Sequence, residues 1–349
     1  MSLSIDAKVL HTLLSQVSQA NSKTITLDTK EGVLEAVDPE LVIRAKHPSL
    51  QDSGLSAKRI STDITKLIAI ASALKGQITL TYDKSLIVGS GRSCFTLPIF
   101  SDTSKPIQCP DGLKPTPGKV YGLDQVIELL LPVINTKKFQ GSNSIQFSDD
   151  EGILLAAATD GPRLLLIRDE DIPPFNLLLP KRLAKIITNL PKAITLESSA
   201  TAVVISTEDV TVIGRLTATE FPDWKRVMPE NYKLVVQVDT AEMLQALERV
   251  GIMASEELPG VVLEFVNNHM LTLVTGGGTA EESININTVT SSLDGNLPKI
   301  ILHHRYLTDF FKNILKISKT ARIFINNKNS PVAIKAGSAH LLICPRMTA

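Results

Sequence analysis

The stretch DEGILLAAATDGPRLLLI, residues 150–167, holds two apolar runs joined at Asp160-Gly161. Glycine tolerates positive φ and aspartate caps nearby amides, so an Asp-Gly pair between strand-like runs predicts a tight turn between antiparallel strands. The pattern occurs earlier as KEGVLEAVDPELVIRA, residues 30–45, with Asp38-Pro39 at the corner. NNHMLTLVTGGGTAEESI, residues 267–284, takes a third place, with Gly276 to Gly278 at its corner. A position that recurs at a corner reads as a turn before it reads as a catalytic acid, and Asp160 is placed accordingly.

Outward from these hairpins the repetition continues. An amphipathic hxxhhxxh pattern occupies Leu10, Leu13, Leu14 and Val17, then Ile127, Leu130, Leu131 and Ile134, then Met243, Ala246, Leu247 and Val250. A second helix of the same spacing occupies Ile64, Leu67, Ile68 and Ala71, then Leu183, Ile186, Ile187 and Leu190, then Leu307, Phe310, Phe311 and Ile314. Spacings of three and four residues put each set on one helical face, suited to burial against a sheet. Each second helix is followed by three short alternating runs: QITLTY, SLIVGSG and SCFTLPI; AITLES, AVVIST and VTVIGRL; ARIFIN, PVAIKA and AHLLICP. The gaps between them are too short for parallel crossovers, so the strands are antiparallel.

The predicted fold class is α+β, three repeated modules of two helices on antiparallel sheet, spanning residues 1–112, 119–230 and 233–349. The period is about 117 residues, and fixed self-similarity of this kind governs the whole architecture. CPDGLKPTPGK, Cys109 to Lys119, and MPENYK, Met228 to Lys233, are the expected linkers, because proline stiffens connections and removes a ladder donor.

Composition limits the function classes. The chain has 349 residues, 43% of them hydrophobic, with 36 basic and 36 acidic side chains, so no net field draws the molecule onto a polyanion or an anionic membrane. Any such attraction must be local. Cys94, Cys109 and Cys344 are far apart and unpaired by motif, which suggests neither a disulfide framework nor a zinc site and fits a reducing, cytoplasmic location. No apolar run approaches the roughly 20 residues that span a bilayer. GGGTAEES lacks the lysine and hydroxyl of a phosphate-binding loop, and Asp160, Asp223, His303 and His304 match no nucleophile elbow or metal-binding helix. Catalytic residues, metals and cofactors are therefore all expected to be absent.

ATDGPRLLL, EFPDWKRVMP (Glu220 to Pro229), RYLTDFF (Arg305 to Phe311) and the terminal LLICPR together resemble the sliding clamps, the beta subunits of bacterial DNA polymerase III. SGRSCFTL, Ser90 to Leu97, resembles the matching stretch of that family's first module. The resemblance spans the chain. It implies a processivity factor: two three-module protomers joined head to tail in a dimeric ring around duplex DNA, tethering the replicative polymerase, the clamp loader and repair proteins. A closed ring holds DNA topologically, without reading its sequence, and needs only loose phosphate attraction. Candidate DNA-facing residues are Lys181 and Lys185, then Arg305, Lys312 and Lys316 along the third-module helix, where Asp309 interrupts them, with Lys8, Lys23 and Lys66 from the first module. Such charges are ordinarily solvated surface, and the reading rests on the set.

The resemblance also implies a partner-peptide pocket. Carried over by motif, its walls are Thr159, Gly161, Pro162, Arg163 and Leu164, with Pro222, Arg226 and Val227 opposite, closed by Tyr306, Leu342, Ile343, Cys344 and Pro345. Dimer contacts fall on Leu97 and Phe100 against Ile252 and Met253. The chain departs from the family at Pro162, where histidine is common, at Cys344 and Arg346, where methionines are common, and at His303, where asparagine is common. These departures suit a main cellular clamp, a second copy or a mobile-element clamp alike. The alternative function is a clamp-fold scaffold that binds proteins without closing on DNA.

Overall fold

Antiparallel hairpins form at the predicted corners. Ile153–Thr159 pairs with Arg163–Asp169, closing at Thr159 opposite Leu164, and Val33–Val37 pairs with Leu41–Lys46, closing at Val37 opposite Val42. Met270–Thr275 pairs with Ala280–Asn285, while the corner glycines Gly276 to Gly278 lie outside the described residues. The computed structural model describes the chain except residues 1, 52–58, 101–110, 117, 135–140, 217–218, 230, 256, 258, 268, 276–278, 293–298 and 347–349. Of the first predicted linker, Cys109, Pro110 and Pro117 fall on those positions, and Lys114–Pro115 within it form a short strand.

Six helices carry the repeated stripes: α1 (Ala7–Val17), α2 (Ile64–Ala73), α3 (Leu123–Leu130), α4 (Lys181–Ile187), α5 (Thr240–Val250) and α6 (His304–Ile314). Three begin at an aspartate whose carboxylate accepts a first-turn amide: Asp6 from Lys8, Asp63 from Lys66 and Asp239 from Glu242. Each such cap is worth about 1 kcal/mol. The stripes are buried except at Ile68 and Leu131, which are half-buried, and Leu10, Leu14, Leu247, Leu307 and Phe311 are fully enclosed. Two stripes outrun their helices. Pro132 turns α3 into a short 3₁₀ segment, Leu131–Val133, and α4 stops at Ile187 ahead of Pro191. Ile134 and Leu190 are still buried, but from extended or turn backbone.

The chain forms two compact units, residues 1–121 with 189–218, and residues 122–188 with 219–349. The first contains a four-stranded sheet ordered Ser2–Asp6, Gln77–Tyr82, Ser85–Ser90, Ser93–Pro98. It also contains a nine-stranded sheet, in which Val210–Arg215 joins Leu41–Lys46. The second contains another nine-stranded sheet, in which Arg163–Asp169 joins Ala339–Ile343, and a four-stranded sheet ordered Ala280–Asn285, Met270–Thr275, Gly260–Asn267, Lys299–His303. The strands of the middle repeat are thus shared out. Ala193–Ser198, Ala202–Ser206 and Val210–Arg215 extend the first repeat's sheet, while the four strands between α3 and α4 extend the third's.

Candidate functional site

The Asp160 corner is held by its own side chains. Thr159 Oγ1 donates to the Arg163 carbonyl (2.7 Å), Asp160 Oδ1 accepts the Arg163 amide (3.2 Å), and Gly161 takes a φ of 97° that suits glycine. The Arg163 side chain then folds back. Its Nε donates to Asp160 Oδ2 (3.1 Å), Nη2 donates to the Pro132 carbonyl (2.5 Å), and its guanidinium carbon lies 4.1 Å from the Tyr306 ring centroid. Tyr306 stacks on His303 at 4.1 Å. Asp160 and Arg163 are both buried. Burial, and then the positive charges of Arg346, Arg163 and His304, lower the pKa of His303, while burial followed by the Asp160 charge raises that of Tyr306. His303 Nδ1 is buried and has no hydrogen-bond partner among the described residues.

The strand pleat divides the expected pocket wall. Leu164, Leu166, Leu155, Ala157, Ala333 and Leu342 form one apolar strip, covered by Phe221, Trp224 and Met228. Arg163, Leu165 and Ile167 alternate with them and pack on the opposite face against Leu129, Pro132, Phe310 and Ile314. The cross-strand pairs Leu164–Leu342 and Arg163–Ile343 therefore point to opposite faces. The expectation that Arg163, Tyr306 and Ile343 share a wall with Leu164 and Leu342 is corrected on that ground.

The covering segment enters a short 3₁₀ turn, Trp224–Val227. Pro222 is half-buried, Val227 is 53% exposed, and Arg226 is exposed and paired with Asp223 at 2.8 Å. At the chain's end the Cys344 amide donates to the Pro162 carbonyl (2.8 Å), and Pro345 is half-buried. Cys344 is solvent-accessible, and desolvation of its thiol, reinforced by Asp160, raises its pKa. Sequence reasoning missed Gly141, where a Cβ would lie 2.7 Å from the Glu220 carbonyl, so a bare backbone seats this segment. It also missed Trp224, which packs on the apolar strip, and His340, which with Trp224 lines a cavity on the same sheet, although the chain's single tryptophan was a visible signal.

The candidate DNA-facing charges divide by environment. Lys8, Lys23, Lys66, Lys185, Arg305, Lys312 and Lys316 are exposed. Lys181 Nζ donates to the Ile134 carbonyl (2.7 Å), and burial, followed by the nearby Lys185, lowers its pKa. Arg305 sits 4.0 Å from Asp309, and Lys316 lies in the turn beyond α6 rather than on the helix. Of the dimer candidates, Ile252 is 80% exposed, Met253 49% and Phe100 42%, whereas Leu97 is buried at 4%. Leu97 faces its own core, and the exposed apolar side chain on that strand is Phe95.

Among the described residues no group of three or more His, Cys, Asp or Glu side chains could hold a metal ion. His303 and His304 turn to different partners, Tyr306 for the first and the Leu247 carbonyl (2.7 Å) for the second. No described helix is long and apolar enough to cross a membrane.

Residues 225–342 match the family described as DNA polymerase III beta subunit, C-terminal domain. The beta sliding clamp of Staphylococcus epidermidis is 24% identical over 318 residues, covering 83% of this chain and 82% of that protein. That of Buchnera aphidicola is 27% identical over 202 residues, 56% of this chain and about half, 54%, of that protein. Solved structures share the fold. The Caulobacter crescentus pol III beta superposes with a TM-score of 0.87 at 21% identity, covering 100% of both chains. The Helicobacter pylori beta clamp bound to a DNA ligase peptide gives 0.86 at 19%, covering 99% of this chain and 100% of that one.

Proposed function

We propose that this chain, a divergent relative of the bacterial beta sliding clamps, is a DNA polymerase processivity factor. Three modules, 1–112, 119–230 and 233–349, are its repeating unit. Two copies join head to tail in a ring around duplex DNA. The observation that carries the reading is the pair of sheet edges that a head-to-tail contact requires. Ser93–Pro98, which carries exposed Phe95, ends one four-stranded sheet, and Ala280–Asn285 ends the other. Exposed Ile252 and Met253 follow α5, which packs on the Ala280–Asn285 strand. An edge strand presents unpaired amides and carbonyls to another chain, and two different edges give a heterologous contact that closes if its rotation suits.

The work is proposed to be non-catalytic and to take place in the cytoplasm, on the nucleoid. Topology supplies retention, and exposed Lys185, Arg305 and Lys312 supply weak phosphate attraction that lets the ring slide. Leu164 and Leu342, with Pro222, Val227 and Cys344, are proposed to form the end of a groove that takes apolar anchors of short peptides from the polymerase, the clamp loader and repair proteins. Few anchors in a preformed concavity suffice for such partners. The test is loading on nicked circular DNA. A clamp stays bound through a high-salt wash and leaves when the circle is cut, whereas loss in the wash, or retention on linear DNA with free ends, overturns the proposal.

A further inference from the structure

We propose that the same sheet face carries a second, acid-rimmed subsite that takes a lysine- or arginine-bearing stretch of the peptide whose apolar anchors lie at the Leu164–Leu342 end. The inference rests on the peptide-groove reading. Two residues along the strands, about 7 Å, Leu164 gives way to Leu166, Ala157 to Leu155 and Leu342 to His340. At that point a cavity of about 740 Å³ opens, floored by Leu155, Leu166, Trp224 and Met228. Trp224 and Met228 also pack on the apolar strip, so the groove end and the cavity share them.

The charge around this cavity is unbalanced. Its lining holds Asp150, Asp169, Glu170 and Asp171 against Arg168 and Lys335. Arg168 is neutralised by Asp150 at 2.5 Å, and Lys335 Nζ lies 5.4 Å from the Phe324 ring centroid. Asp169 Oδ1 accepts the amides of Asp171 and Ile172. Glu170 and Asp171 are exposed and make no ion pair among the described residues. His340 adds no positive charge at neutral pH, because burial and then Lys335 push its pKa down to about 4. A wide cavity with an apolar floor, an indole wall and surplus carboxylates complements a long cationic side chain, whose stem lies on the floor while its charge meets the rim.

The experiment uses the full chain, with its single tryptophan as reporter. Ac-Leu-Leu-Ala-Lys-Lys-NH₂, its reversed sequence, and the glutamine counterparts of both are titrated while Trp224 fluorescence is followed. In one orientation the lysine peptide binds about 5- to 10-fold tighter than its glutamine counterpart at low salt, the range expected of two exposed charge pairs. That advantage disappears at 0.5 M salt and in the Glu170→Gln/Asp171→Asn variant, whose changes are on the surface. Equal affinity of lysine and glutamine peptides, or an advantage that survives the double variant, overturns the subsite alone, provided Leu164→Asp still abolishes binding. Failure of every peptide to bind the parent overturns the groove and the subsite together.

Discussion

Asp160 pairs with Arg163 in a nearly water-free setting, where Arg163 also meets Asp309 at 3.7 Å, and that makes the group vulnerable to loss of the arginine. Arg163→Ala leaves a buried carboxylate, frees the Pro132 carbonyl and removes the cation from Tyr306. The expected loss is about 3–5 kcal/mol, read as a lowered urea midpoint; an unchanged midpoint would show that water reaches the site. The turn itself was legible, since Asp-Gly between apolar runs admits few other readings. The burial of Arg163 was not, because a pleated strand alternates faces and the sequence does not say which face the helices cover. His340 escaped notice for the same reason, sitting one pleat step from residues that were noticed. Its folded pKa, about 4, lies below the ordinary value of 6.5, so its contribution is fully present above pH 6.5 and is lost as pH falls toward 4. Between pH 7 and 5 that amounts to about 2 kcal/mol. Denaturation of parent and His340→Gln at the two pH values checks it: the variant should lose less stability on acidification.

At the level of elements, the helices and the hairpin and meander strands were legible from periodicity, strands that lead into helices such as Ser2–Asp6 and Leu177–Pro180 were not, and two helices end early where a proline intervenes. Pro132 and Pro191 lack the amide that would extend a helix, yet Ile134 and Leu190 keep their buried places, so the stripe in sequence is longer than the helix in space. What periodicity cannot show is close approach between elements. The hinge from α5 to the Gly251–Met253 turn is one case, because a Cβ on Gly251 would lie 2.3 Å from His304 Nε2, the atom that meets the Leu247 carbonyl at 2.7 Å. Gly251→Ala must displace the His304 ring or the end of α5. A loss of about 1–3 kcal/mol is expected, and Gly251→Ala/His304→Ala should recover part of the clash cost relative to His304→Ala alone. Equal destabilisation by the glycine change in both backgrounds would dismiss the contact.

For the whole molecule, the repeat was legible but the way its middle copy divides was not. Strand pairing between repeats depends on edges meeting in space, so no local pattern announces that Val210–Arg215 joins Leu41–Lys46. The same logic governs assembly. Sequence resemblance nominated Leu97, which is already committed to its own core, whereas Phe95, two residues earlier on the same edge strand, is 37% exposed. Ile252, 80% exposed, and Met253, 49% exposed, are the partners proposed for it on a second copy. Placing charge there obstructs association without touching the interior, because a buried unpaired carboxylate at an interface is strongly disfavoured and an exposed one costs the free chain little. Ile252→Asp/Met253→Asp and, separately, Phe95→Asp should sediment as monomers. Both should keep the parent's affinity for an apolar peptide at Leu164, and the Ile252→Asp/Met253→Asp variant its urea midpoint, yet both should fail to stay on circular DNA through high salt. A Lys185→Ala/Arg305→Ala/Lys312→Ala variant should do the reverse, remaining dimeric while the salt dependence of its DNA contact becomes shallower, since that slope follows the number of phosphates engaged. A dimer that persists with aspartate at all three interface positions would place ring closure on some other surface, whatever the DNA result.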